Sequence, residues 1–148
     1  MLETAKWNYK RGNTKFDYDL ETSMLEEEAQ EFKEGLEMYF EALGTDNDTL
    51  PALVEMVDAY CDYKFVFNGT MFKALGTSTQ LVGPTIHLDY MYGILGELGL
   101  LSILGKAYSA VTVANNDKGS KKVNGKIQKG DSWIDPKLII ENLIKGVI

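Results

Sequence analysis

Residues Pro51-Ala-Leu-Val-Glu-Met-Val-Asp-Ala-Tyr-Cys-Asp-Tyr-Lys-Phe-Val-Phe67 decide the fold. At roughly 100° per residue, Ala52, Leu53, Val54, Met56, Val57, Ala59, Tyr60, Cys61, Phe65, Val66 and Phe67 cover nearly the whole circumference of a helix. A helix that is apolar all round is buried. Glu55, Asp58 and Asp62 nevertheless line up along one side of it, at spacings of three and four. Burying unpaired carboxylates is costly, and neighbouring like charges add to the cost. Lys64 points from another face and does not neutralise them. Two readings follow: either the stripe borders a polar cavity that holds cations, or these carboxyls are largely protonated.

Working outward, Asp48 and Thr49 supply capping side chains ahead of Pro51, which is tolerated in a first turn, and Asn68-Gly69 reads as the terminator. Upstream, Ser23-Met-Leu-Glu26 has the form of a capping box and predicts a helix from there to Gly44. The short polar loop Thr45 to Asp48 makes the two helices an antiparallel hairpin. On the first helix Leu25, Ala29, Phe32, Leu36 and Leu43 form the core face, and Glu26, Glu34, Glu37 and Glu41 form a solvated one. Glu28 and Glu31 belong to neither. They lie on the border with Met24, Gly35 and Met38, and Glu27 leans over the same spot from four residues before Glu31, while Lys33 lies elsewhere. One such stripe alone is ordinary surface, but two on adjacent helices make an oxygen-rich cluster suited to Mg²⁺, with Mn²⁺ as an alternative.

The remainder of the chain surrounds this hairpin. Residues 70–83 read as a connection, and Pro84 to about Val113 is apolar and helical in pattern, interrupted by Gly93, Gly96, Gly99 and Gly105. The segment 115–131 is polar and lysine-rich, and its Asn124-Gly125 supplies the positive φ angles of a type I′ hairpin turn. Asp135-Pro136 opens a final helix, placed at 136–145. The expectation is one all-α domain over 1–148, with a helical core at about 23–113, a lysine-rich loop or hairpin at 115–131 and a short C-terminal helix. Trp7, Tyr9, Phe16 and Tyr18 are expected to pack on the bundle, and His87, the one histidine, has no partner at ligand spacing.

Composition restricts the function. The 148 residues are 45% hydrophobic and 25% charged, as in globular proteins. No apolar run approaches the ~20 residues of a membrane span, and the first ten residues lack the apolar core of a secretory signal. A cytoplasmic protein with no membrane role is expected, in the host cytoplasm if the gene belongs to a phage. The single Cys61 reads as core. A net charge of −7 disfavours direct binding to duplex nucleic acid, and an acidic protein acting on phosphates needs cations between itself and its substrate.

The stretches Leu25-Glu-Glu-Glu28-Ala-Gln-Glu31-Phe and Val54-Glu55-Met-Val-Asp58-Ala-Tyr-Cys-Asp62 resemble the MazG-like, all-α NTP pyrophosphatase superfamily, which includes dimeric dUTPases and phosphoribosyl-ATP pyrophosphohydrolases. The likeness continues through Ala114-Asn115-Asn-Asp-Lys118, Gly125-Lys126-Ile-Gln-Lys129-Gly130, Trp133 and Pro136, a block common in phage and bacterial MazG-like proteins, and covers about residues 20 to 140. Ala114 stands where that block usually has Ser, which puts a hydroxyl contact there in doubt.

The resemblance implies Mg²⁺-dependent hydrolysis of a (d)NTP between its α- and β-phosphates, yielding a nucleoside monophosphate and pyrophosphate. Glu28, Glu31, Glu55 and Asp58 would be the metal ligands, Asp62 a second-line acid, and Glu27 or Glu31 the group that accepts water's proton. Asn115, Lys118, Lys129 and Trp133 would bind substrate, although Lys118, Lys121, Lys122, Lys126 and Lys129 equally fit a solvated loop. Relatives complete a four-helix bundle from two or more subunits, so the hairpin is expected to pair with a second copy in a homodimer or homotetramer. Two other readings stand beside this one. The first is a non-catalytic acidic helical oligomer that binds nucleotide or a protein partner. The second is a hydrolase of phosphoribosyl-ATP or an alarmone-like compound.

Overall fold

The apolar rod at 51–67 is the middle of α3 (Leu50–Ala74), and in the computed structural model, which describes residues 1–118, 122–129 and 133–148, it is the axis of the protein. Around it stand α1 (Leu2–Lys10), α2 (Tyr18–Gly44), α4 (Val82–Glu97) and, after a 3₁₀ turn (Leu101–Ile103), α5 (Leu104–Asn116). A small antiparallel hairpin, β1 (Lys122–Val123) and β2 (Lys126–Ile127), precedes α6 (Lys137–Lys145). The chain is thus mainly helical, as expected.

The hairpin of α2 and α3 forms as read. Asp48 Oδ1 accepts from the Leu50 amide at 3.0 Å and Pro51 sits in the first turn of α3. Met56, Val57, Cys61 and Tyr63 are fully buried, and the core they form extends to Leu25 and Phe32 of α2, Leu95 of α4, Val111 of α5 and Ile140 and Ile144 of α6. The full cover that the apolar circumference of α3 requires therefore comes from its own chain.

Several boundaries and placements differ from the sequence expectation, among them α1, which is not expected as a helix, and α4, which begins at Val82 inside the expected connection 70–83. α2 starts at Tyr18, not at Ser23: Asp17 is the cap, accepting from the Leu20 amide at 3.2 Å, and Asp19 and Glu21 suit the positive end of the helix dipole. α3 runs past Asn68-Gly69 to Ala74. Gly69 serves close approach rather than termination, since a Cβ there would lie 2.8 Å from Asn8 Nδ2 of α1. Leu43, assigned to the core face, is exposed in the last turn of α2. Of the N-terminal aromatics, Trp7 is buried edge-on against Phe65, whereas Tyr9 and Tyr18 are exposed.

The apolar segment after residue 81 breaks where Gly99 takes φ +75°, separating α4 from the 3₁₀ turn and α5. Among the described residues no single helix is long and apolar enough to cross a membrane; Val82–Glu97 and Leu101–Asn116 pass such a test only jointly, across a 115° bend. Asn124 and Gly125 have φ of 52° and 80°, the type I′ turn expected, with Val123 paired to Lys126. Lys121 and Gly130, named with the basic block, lie outside the described residues.

One buried ion pair ties the start of α2 to the end of α3. Lys73 Nζ contacts Glu21 Oε1, and the Thr70 hydroxyl donates to Glu21 Oε2 at 2.7 Å, all three side chains being buried. Removing one partner strands a charge in the interior, which costs about 3–5 kcal/mol. Glu21→Ala is expected to lower the thermal midpoint by roughly 10 °C, and the double replacement Glu21→Leu with Lys73→Met to recover most of that loss, both measured by circular dichroism.

Glycines give a second check on packing. A Cβ on Gly35 would meet Met56 Cγ at 2.8 Å and the Met56 backbone nitrogen at 3.2 Å, whereas Gly93 faces open space. Gly35→Val should destabilise by about 1–3 kcal/mol through overpacking, and Gly93→Ala should stabilise by about 0.5–1 kcal/mol through helix propensity. Denaturant midpoints in urea test both signs.

Candidate active site

Asp58 and Asp62 lie one turn apart on α3, on the side facing Glu28 and Glu31 of α2, and these four carboxylates line one cavity of about 630 Å³. The hairpin register produces this convergence: the border of α2 meets the one polar side of α3 where Gly35 lets the two backbones approach. Glu27 borders the same cavity from a more exposed position. The remaining lining comes from the residues that follow α5, from the hairpin and the residues just after it, and from the first turn of α6, which contribute Lys118, Lys126, Lys129 and Lys137. Acids on two helices and lysines on later segments thus line a single hollow, and Lys126 and Lys137 pair directly with acids.

The carboxylates are not balanced within the described residues. Glu28 Oε2 and Asp58 Oδ1 are buried and accept no hydrogen bond there. Burial pushes the Glu28 carboxyl up to about 9, with Asp62, Glu31 and Glu27 adding repulsion and Glu31 a hydrogen bond in the same direction. Burial likewise raises Asp58 to about 7, helped by Asp62 and opposed by Lys137. Asp62 rises to about 6, burial exceeding the relief that Lys118, Lys129 and Lys137 give. Lys118 is lowered from its ordinary value, chiefly by burial. Each shift has the same source, charge held in a poorly solvated hollow.

Glu55 behaves differently from its neighbours. It is not among the residues lining the cavity, and both of its carboxylate oxygens accept from Lys137 Nζ, at 3.0 and 2.9 Å. The same ammonium lies 3.9 Å from Asp58 Oδ2. Glu27 is held by Lys126 at 2.8 Å. Among the described residues, no three Asp, Glu, His or Cys side chains stand together in a way that could hold a metal ion. The donors nonetheless fit a hard divalent cation in kind. They are carboxylate oxygens, and two of them are buried without a partner where a cation would satisfy them.

The expected substrate-binding residues also border the cavity. Asn115 is buried at the end of α5, where its side-chain amide donates to the Val111 carbonyl at 3.0 Å and its own carbonyl accepts from the Trp7 indole at 2.8 Å. Arg11 donates to the backbone carbonyl of Lys118 at 2.9 Å, so α1 clamps the turn that presents this lysine. Lys129 Nζ lies 4.0 Å from the centre of the Trp133 ring, so one face of the indole already carries a cation. His87 is exposed and stands edge-on to Tyr63, away from the cavity.

The chain matches no protein-family model, no curated protein and no solved structure. The site is therefore read from its own chemistry. Residues that sequence reasoning left out are Lys137, Trp7, Arg11 and the buried pair Glu21 and Lys73, which also border the cavity apart from Arg11. A signal for Lys137 is present in the sequence. A cation in the first turn of a helix opposes the macrodipole, and it needs carboxylate partners to be held there.

The raised carboxyls set a pH dependence. Between the unfolded value near 4 and the folded values of about 7 for Asp58 and about 9 for Glu28, the native state holds protons that the unfolded chain has released. Stability is then full at low pH and falls as pH rises. With divalent cations chelated, the thermal midpoint is expected to drop by about 5 °C or more between pH 5 and pH 9. The Glu28→Gln, Asp58→Asn double variant should show a much flatter profile, and a midpoint that climbs with pH in the parent protein would contradict this electrostatic account.

Proposed function

We propose that the protein is a Mg²⁺-dependent nucleoside triphosphate pyrophosphohydrolase of the MazG-like kind, cleaving a (d)NTP to a nucleoside monophosphate and pyrophosphate. The observation that carries the reading is the pair of buried oxygens on Glu28 and Asp58 that have no partner among the described residues, in a cavity that lysines also line. Acids and cations lining one cavity suit a ligand that is itself anionic and arrives with divalent ions. The volume of about 630 Å³ is in the range of small-molecule sites.

Glu28, Glu31 and Asp58 would hold the ion, with Glu55 joining once released from Lys137 and Asp62 supporting from behind. Such an ion supplies neutralisation of triphosphate charge and a lowered pKa for water. The chain's own residues do the remainder. Lys118 and Lys129 reach phosphate oxygens and orient the triphosphate for in-line displacement at the α-phosphorus. Glu31 or Glu27, both bordering the cavity, accepts the proton of the attacking water. Pyrophosphate leaves with the electron pair of the α–β bridging oxygen.

A homodimer or homotetramer is part of the same proposal. Because α3 is covered by its own chain, a second copy would cover other surface, and α4 offers Val82, Ile86 and Tyr90 exposed at successive turns. The mass in solution checks this.

Activity is tested by a pyrophosphate-release screen over the natural (d)NTPs, dUTP, phosphoribosyl-ATP and alarmone-like compounds, with and without Mg²⁺. At least one should release pyrophosphate rather than orthophosphate, and chelation should abolish turnover. Asp58→Asn and Glu28→Gln should each reduce kcat by about a hundredfold or more, in the range expected for losing a positioned charged group, while circular dichroism remains that of the parent. Parental rates in both variants would remove the site assignment.

A further inference from the structure

Among the described residues, Lys137 is the one cavity lysine whose ammonium is shared between two of the proposed metal ligands. Its Nζ takes both oxygens of Glu55, at 3.0 and 2.9 Å, and stands 3.9 Å from Asp58 Oδ2. The Asp58 oxygen turned away from it, Oδ1, is the buried one with no partner among the described residues. The geometry points to Lys137 as a resident counter-ion that occupies the Glu55 and Asp58 carboxylates in the empty site and gives way to the divalent cation when that enters. This inference rests on the metal reading above.

Three features support displacement over a fixed structural ion pair. The Lys137 and Glu55 side chains are 38% and 40% exposed, so water can take over either partner. Lys137 is the first residue of α6, after Pro136, and the helix is anchored by Ile140 and Ile144 rather than by this lysine. Its stem can therefore swing without undocking the helix. The positive end of the α6 dipole also repels the ammonium, so Glu55 and Asp58 are what hold it in place. Once released, the ammonium borders the same cavity as Lys118 and Lys129 and can meet an incoming phosphate. The consequence is coupling. The nucleotide-free protein binds divalent ions weakly, because each must compete with an internal cation, and a triphosphate that accepts the displaced lysine strengthens ion binding.

The test measures Mn²⁺ binding to the nucleotide-free protein by electron paramagnetic resonance of the free ion. Lys137→Met should bind Mn²⁺ about two- to fivefold more tightly than the parent, the factor that a part-exposed ion pair is worth, and Lys137→Arg should not. A second measurement needs no variant: acetylation of Lys137 in the parent protein, followed by mass spectrometry, should accelerate severalfold when Mg²⁺ is added. Equal or weaker Mn²⁺ binding by a folded Lys137→Met protein, or Lys137 acetylation indifferent to Mg²⁺ that does bind, overturns displacement while leaving the metal reading intact. Absence of divalent binding to parent and variants alike overturns both.

Discussion

Each of the other five α-helices packs against α3, and the structure follows from the need to bury that one rod on all sides. No single neighbour could do this. α2 covers one flank along its length, α5 and α6 cover others, and α1 and α4 close the remainder. Burial of apolar surface at roughly 25 cal/mol per Å² supplies the driving force, and it also dictates the chemistry. A rod buried on every side must carry its acids inward or at a seam.

The protein handles those acids in three ways, graded by depth. At the innermost level Glu21 is buried and carries its own lysine and a threonine hydroxyl, so both of its oxygens are satisfied. At the outermost level Glu55 is part-exposed, and a single ammonium in partial contact with water suffices. Between these levels lie Glu28, Asp58 and Asp62, poorly solvated and close to one another, and there the balance shifts toward protonation. An isolated surface pair is worth at most about 1 kcal/mol, whereas a stranded interior charge costs several times that. The middle tier is therefore the expensive one. A structure that keeps it forgoes stability at neutral pH, which is understandable where the carboxylates serve an external cation.

Much of this was legible along the chain, and the failures share a cause. The inward stripe of α3, the border position of Glu28, the Asn124-Gly125 turn and the start of α6 follow from local periodicity and turn chemistry, which need no knowledge of topology. α1 did not, because a nine-residue helix is not stable alone. Its inner face is also partly polar, with Thr4 and Asn8 buried against Gly69 and Tyr108, so hydrophobic periodicity does not mark it. The start of α2 was a contest between two capping signals. Asp17 prevails because only a helix beginning there carries Glu21 to Lys73, a contact 52 residues apart. Glu55 shares the stripe of Asp58 by spacing, yet the arrival of Lys137 separates their roles. A partner 82 positions downstream cannot be read from a helical wheel.

The two sources of cations explain why the lysine-rich segment and α6 belong to the same domain as the acidic hairpin. Lys118 hangs from the end of α5, held by Arg11 of α1 at its backbone, and is lowered chiefly by burial. Lys126 and Lys129 ride on the β-hairpin, and Lys137 begins α6. Four lysines on three separate segments converge on a cavity that acids also line. If mutual neutralisation were the whole purpose, direct pairing throughout would be the stable arrangement, and no carboxylate oxygen would be left buried without a partner. Instead two lysines are engaged with acids at the periphery, while one buried oxygen each on Glu28 and Asp58 has no partner among the described residues. Under the proposed function that asymmetry has a use: the open carboxylate oxygens would take a cation, and the lysines the anion that comes with it.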